Sequence, residues 1–257
     1  NFLRKLEYEM HKPLLEKFDL VCGSSTGGIL AIALTVLKLN GTRLVNIYSS
    51  RNLKRIFSSS MPRLVGPKYG DRRKNNVLRE YFGSLTLNEA DTPAIAVSYD
   101  LKKRSTRLFK TFEDKHLKAW KVASATSAAP TFFPAVKIEE NWYIDGAISS
   151  NNPVLIAYAE AKKLWPDENI KILSIGTGFD NRSFKASSTK NWGIFSWLRG
   201  GIIQVLMESN SEHLIAESLF GKNYLRINSE LNKVHSYIDN SSDKNLEECL
   251  NMGDQWW

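Results

Sequence analysis

Cysteine is scarce in this chain of 257 residues: only Cys22 and Cys249 are present, too few for a disulfide framework or a thiolate metal site. Both are expected to be free thiols. The four histidines, His11, His116, His213 and His235, are scattered, and no Cys/His/Asp group has ligand spacing, so neither a metal nor any other cofactor is expected. No apolar run approaches the roughly 20 residues that span a bilayer as a helix. Nothing resembles a signal peptide, although Asn1 is not a natural start and leaves room for a leader upstream. The phosphate-cradling patterns G-x-x-x-x-G-K-[ST] and G-x-G-x-x-G are both missing. Repeats, linkers and low-complexity tracts are missing too, so residues 1–257 are expected to form one domain.

Acidic residues are sparse where basic ones crowd. The chain carries a net charge of +8, and Arg51, Lys54, Arg55, Arg63, Lys68, Arg72, Arg73, Lys74 and Arg79 face only Asp71 and Glu80 in the same stretch. Such a patch attracts an anionic membrane or nucleic acid, or is simply a solvated face. No aromatics interleave with it as in a single-strand platform, which favours membrane over nucleic acid.

The chain is organised around residues 18–39. Phe18-Asp-Leu-Val-Cys22 suits a buried strand, and Ile29 to Leu39 is a run of helix formers with almost no polar face. Between them Gly23-Ser24-Ser25-Thr26-Gly27 has the form G-x-S-x-G. On a sharp strand-to-helix turn this pattern holds a serine in strained backbone with its hydroxyl exposed. Ser25 is the candidate nucleophile. Gly23, Thr26, Gly27 and Gly28 form the elbow, with side chains at Gly23 or Gly27 expected to collide with the neighbouring strand and helix. The alternative is a purely structural turn.

An amphipathic helix opens the chain and ends near Pro13, and Asn40-Gly41 is expected to cap the elbow helix at its C-terminus before a helix through Leu44, Ile47 and Tyr48. Residues 58–76 read as a mobile loop. Ala94–Tyr99 and Thr106–Phe109 read as strands joined by a charged turn, Leu117–Ser127 as a small-residue helix, and Ala128–Ala135 as an apolar loop pinned by proline. Trp142–Asp145 is a short strand, Asn151-Asn-Pro153 starts a helix to about Leu164, and Ile170–Ile175 is a further strand. A helix over about 201–219, a strand at Tyr224–Ile227 and a final helix capped by Ser242 complete the pattern. Strands alternating with helices imply a layered αβα fold with a central, mostly parallel sheet. Trp192–Ile203 suits an interfacial anchor or a loop closing over the core.

Asp145, followed by Gly146-Ala147 at the end of a strand, is the candidate base for Ser25; a buried carboxylate with a raised pKa can take the serine proton directly. A Ser-Asp-His arrangement with His213 or His235 is the alternative, although neither histidine has a motif around it.

Cys22 to Ala31, then Ala125-Thr-Ser-Ala-Ala-Pro-Thr-Phe-Phe-Pro-Ala135, then Asp145-Gly-Ala, in that order, resemble the patatin-like phospholipases. The resemblance extends to about Gly178. It implies a fold related to the α/β-hydrolases and transacylases. It also implies hydrolysis of phospholipid or lysophospholipid acyl esters by a Ser-Asp dyad without a metal, with Ser25 as nucleophile and Asp145 as its partner. Pro130, Phe132 and Phe133 of the apolar loop are then expected to bind substrate. Peripheral membrane contact and a cytoplasmic or membrane-surface location are the matching expectations, with secretion as an effector open; protein partners are not indicated. The family's D-G-G-G-x-R-G loop, whose amides form the oxyanion hole, is expected upstream of Asn1, leaving the Thr26 amide as the donor in this sequence. A Ser-Asp-His esterase or acyltransferase, or a non-catalytic lipid-binding module, are the alternatives.

Overall fold

A computed structural model of the chain describes residues 1–58, 66–180, 211–235 and 237–257. The Trp192–Ile203 stretch, Arg63 and the first half of the 201–219 helix lie outside these residues.

The centre of the fold is β2 (Ala94–Asp100), whose first four residues, Ala-Ile-Ala-Val, are fully buried. Such a run has no polar face because it is covered on both sides. β3 (Ser105–Lys110) pairs antiparallel with it over residues 95–100, joined by the expected hairpin turn. β1 (Val21–Ser24) runs parallel to β2 with Ser24 opposite Val97, and β5 (Asn141–Asp145) runs antiparallel to it with Asp145 opposite Ser98. A strand has two edges, and β3 takes one along its length. β1 and β5 therefore share the other edge and meet end to end between Val97 and Ser98. β4 (Val136–Ile138) extends the sheet beyond β5. A second, parallel pair joins β6 (Ile172–Ile175) to β7 (Tyr224–Ile227). The layered α/β architecture is as expected, with parallel pairing at β1–β2 and β6–β7 and antiparallel pairing at β2–β3, β2–β5 and β4–β5.

The elbow helix α2 (Thr26–Val36) is buried along nearly its whole length, from Gly28 and Ile29 through Ala31 to Val36. It packs against β1, β2 and α6 (Ala119–Thr126), whose small residues Ala119, Val122, Ala123 and Ala125 allow the close approach. α1 (Phe2–Met10) ends at His11 in the left-handed region, two residues before Pro13. α7 (Val154–Leu164), α8 (Ser211–Phe220) and α9 (Asp243–Gln255) follow, the last capped by the Ser242 side chain as expected.

Two expectations need correction. Asn40 does not close α2, which ends at Val36; its side chain instead accepts from Arg43 N at 2.9 Å and starts α3 (Gly41–Ile47). The supposed loop over 58–76 contains the first turns of α5 (Asp71–Phe82), preceded in the chain by α4 (Ser50–Ile56). Lys74, Val77, Leu78 and Phe82 are its buried face. A lysine at the first core position hid the helical period behind a run of charges.

Candidate active site

β1 delivers Ser25 to the point where β1 and β5 collide. The chain escapes by a sharp turn: Ser25 has φ 54° and ψ −126°, a combination strongly disfavoured for a residue with a side chain. Holding it costs on the order of 1–3 kcal/mol, which the packed α2 and β1 on either side sustain. A Cβ at Gly23 would lie 2.1 Å from Gly27 O, so only glycine lets the strand and the helix pass this closely. Gly27 differs from the expectation: a Cβ there meets nothing within 4 Å. The second steric glycine is Gly28, whose Cβ would lie 2.4 Å from Thr126 Oγ1.

β5 delivers Asp145 to the same point from the opposite direction. β5 is antiparallel to β2, so Asp145, the last residue of its strand, arrives beside the middle of β2. What brings Asp145 to Ser25 is the register, with Val97 opposite Ser24 and the next residue, Ser98, opposite Asp145. Gly146 then bends the chain into a short 3₁₀ turn, Gly146–Ile148; a Cβ on it would lie 2.2 Å from Val97 O.

Ser25 Oγ donates to Asp145 Oδ2 at 2.6 Å, and Ala147 N donates to Asp145 Oδ1 at 2.9 Å. Asp145 is fully buried. Burial pushes its carboxyl up to about 6, against the opposing pull of the Ser25 hydroxyl, the Ala147 amide and the charge of Lys74. A carboxylate poised there is ionised at neutral pH yet basic enough to accept a proton. Both of its oxygens are engaged without any histidine. His116 bonds Glu139 at 2.9 Å, His213 bonds the Tyr224 hydroxyl at 3.1 Å, and the His235 amide bonds Asn245.

One residue that the sequence did not single out joins the two halves. Thr126 Oγ1, at the end of α6, accepts from Ser25 N at 3.1 Å and donates to Val97 O at 2.5 Å. Two residues on, Ala128 O accepts from Asp145 N at 3.1 Å. Thr126 was visible only as one small polar residue in an alanine-rich helix. At the start of α2, the Gly28 and Ile29 amides bond Ser25 O, whereas those of Thr26 and Gly27 have no carbonyl a turn earlier to receive them.

A cavity of about 1530 Å³ opens beside the pair, bordered by Ser25, Asp145, Ala129, Phe133, Ile29 and Leu30 among others. Phe133 lines it. Pro130 and Phe132 do not; Phe132 stacks on Tyr69 at 6.5 Å instead. Among the described residues no His/Cys/Asp/Glu group could hold a metal, and no helix is long and apolar enough to cross a membrane. Burial pushes the Cys22 thiol up to about 12, away from the thiolate form.

The basic stretch is more neutralised than its composition suggests. Lys54 pairs with Asp243 at 2.8 Å, Arg55 with Glu80 at 2.5 Å, and Lys68 with Asp239. Lys74 is buried, and Arg79 lies 4.0 Å over the Trp120 ring.

A layered α/β protein with a serine on a strained turn, hydrogen-bonded to a buried carboxylate beside a large cavity, has the parts of a serine-type acyl-transfer site. Comparison with known proteins gives the family. Residues 2–158 match the family model of patatin-like phospholipase, and the chain belongs to that family of lipid hydrolases. It is 28% identical over 316 residues to patatin-like protein 2 of rice (Oryza sativa), covering 98% of this chain and 78% of the relative. It is also 28% identical over 242 residues to a cGAMP-activated phospholipase of Pseudomonas aeruginosa, covering 88% and 72%. Among solved structures, VipD from Legionella pneumophila shares the fold with a TM-score of 0.50 at 11% identity; the match covers 99% of this chain and 64% of that one.

Proposed function

We propose that the protein hydrolyses acyl esters of phospholipids or lysophospholipids through a Ser25–Asp145 dyad and an acyl-enzyme. The observation that carries the reading is the direct 2.6 Å hydrogen bond from Ser25 Oγ to a buried Asp145. Ser25 Oγ attacks the ester carbonyl carbon while its proton passes to Asp145 Oδ2. The tetrahedral intermediate expels the alcohol, which takes that proton from Asp145. Water then attacks the acyl-enzyme, giving its proton to Asp145, and the free acid leaves as Ser25 recovers the proton. The Thr26 amide, at the positive end of α2, is the oxyanion donor this chain supplies, with Gly27 beside it. The upstream glycine-rich loop suggested by the resemblance would add further donors. The acyl chain would occupy the cavity against Phe133, Ile29 and Leu30, and no metal takes part in any step. The direct Ser–Asp bond favours this dyad over a Ser-Asp-His triad, and a strained serine has no use in a purely lipid-binding module.

The lipid substrate calls for work at a membrane surface, and a peripheral location fits it. The test is hydrolysis of a panel of phospholipids and lysophospholipids by full-length protein, with Ser25→Ala alongside. Fatty-acid release by the wild type, and release at least about 10³-fold slower by a normally folded variant, are expected. Unchanged release by Ser25→Ala would overturn the assignment.

A further inference from the structure

Lys74 is a buried cation for which the dyad chemistry has no direct use. It sits on the first buried position of α5, 3% exposed, on the wall of the cavity that holds Ser25 and Asp145. Among the described residues it makes no ion pair. Its Nζ donates to Ser124 O at 2.9 Å and to Ser127 O at 3.0 Å, and lies 4.5 Å over the Phe133 ring. A lysine costs much to bury unless its ammonium is hydrogen-bonded. Its ligands explain the position. Ser124 and Ser127 bracket the C-terminal turn of α6, the turn whose Thr126 hydroxyl accepts from Ser25 N and whose Ala128 carbonyl accepts from Asp145 N. The last carbonyls of a helix are its negative end, and an ammonium is their natural partner. One side chain thus grips the short segment from which both members of the dyad hang.

We propose that Lys74 is a positioning residue of this site: its ammonium fixes the Ser124–Ala128 turn that sets Ser25 against Asp145, and places a positive charge on the wall of the cavity that Asp145 also lines. The inference rests on the dyad reading above. The charged groups around Lys74 are consistent with the electrostatic half of the role. Asp145 approaches from the end of β5 and Asp71 lies one turn back on α5, and both raise its affinity for its proton, while burial lowers it to about 7. From α4, Arg55 is engaged with Glu80 at the surface, and Lys54 with Asp243. From α6, Lys121 lies 5.9 Å over the Trp120 ring. Among the described residues these pairings leave Lys74 as the cation whose charge favours the Asp145 carboxylate, and it acts while protonated, chiefly below neutral pH. A cation stabilises the carboxylate; its removal raises the proton affinity of Asp145 and moves the pH at which the base becomes available upward.

The experiment is the rate of labelling of Ser25 by a fluorophosphonate probe as a function of pH, in full-length wild type, Lys74→Met, Lys74→Gln and Lys74→Arg, each checked for thermal unfolding. Labelling needs no knowledge of the lipid. Met removes both charge and donors, Gln keeps an N–H donor without charge, and Arg keeps the charge. In Met and Gln the acid limb is expected to move to higher pH, so that labelling at about pH 5.5, relative to that at about pH 8.5, falls roughly threefold to tenfold below the wild-type ratio. Arg is expected to hold the limb in place, and Gln to keep more of the high-pH rate than Met. If Met folds poorly, Gln alone carries the pH comparison. A uniform slowing at all pH values with the limb unmoved in the folded Met and Gln variants would reduce Lys74 to a packing role and overturn the proposal. Absence of labelling at Ser25 in the wild type would instead overturn the dyad reading on which it rests.

Discussion

At the residue scale, the role proposed for Asp145 ties catalysis to stability with opposite signs. Its carboxyl stands near 6 in the fold against 3.8 as a free group. Between those values the native state holds the proton that the unfolded chain releases, so folding stability falls as pH rises through that window and is flat above it. The difference corresponds to on the order of 3 kcal/mol carried by an ionised, buried carboxylate at neutral pH. On the proposed dyad, ester hydrolysis needs the same group ionised, so kcat/KM should fall as pH drops below about 6 while this contribution to stability rises. Asp145→Asn should therefore abolish turnover and yet raise the thermal midpoint at neutral pH, by an amount equivalent to about 1–3 kcal/mol. Calorimetry beside an ester assay checks both; a destabilised Asp145→Asn variant would contradict the pKa argument. Single alanine changes at His11, His116, His213 and His235 should each leave most of the activity, since none of their recorded bonds involves Ser25 or Asp145. A well-folded histidine variant reduced about a thousandfold would favour a triad.

At the scale of elements, the site is a consequence of two strands meeting on one edge of β2, and the glycines around it have unequal duties. Gly28→Ala would drive a methyl into Thr126 and should cost about 1–3 kcal/mol, loosening the bond to Ser25 N as well. Gly27→Ala enters open space within the first turn of α2 and should leave stability within about 0.5 kcal/mol of wild type. Chemical denaturation of the two variants distinguishes them; equal losses would contradict the packing. The contrast also marks where the sequence was legible. G-x-S-x-G between an apolar strand and an apolar helix revealed the turn, the serine at its apex and β1–α2, because local pattern determines all of these. Asp145 could be named, but the reason for its approach could not, since the pairing of β5 with the second half of β2 is a long-range register that leaves no periodic trace. Thr126 was unreadable for the same reason: its partners, Ser25 N and Val97 O, belong to distant strands. α5 was missed because the buried Lys74 broke the apolar period.

At the scale of the whole molecule, the net charge of +8 invites a membrane reading that the ion pairs temper. With Lys54, Arg55 and Lys68 paired and Lys74 buried, the unpaired charge among the described residues of the stretch rests on Arg51, Arg72, Arg73 and Arg79, the last lying over Trp120. Each such residue near an anionic surface adds about 1 kcal/mol at low salt. Co-sedimentation with vesicles should rise with anionic lipid content, fall with added salt, and weaken for Arg72→Glu/Arg73→Glu; equal binding to neutral and anionic vesicles would leave the stretch as a solvated face. The central claim, however, is that this fold exists to activate one serine with one carboxylate. The most direct measurement is peptide mass mapping of the fluorophosphonate adduct on wild type and on Asp145→Asn at neutral pH. The account predicts a single adduct on Ser25 in the wild type, and labelling of the folded Asp145→Asn protein slower by about 10²-fold or more. An adduct on another residue, or undiminished labelling of Ser25 without the carboxylate, would contradict it.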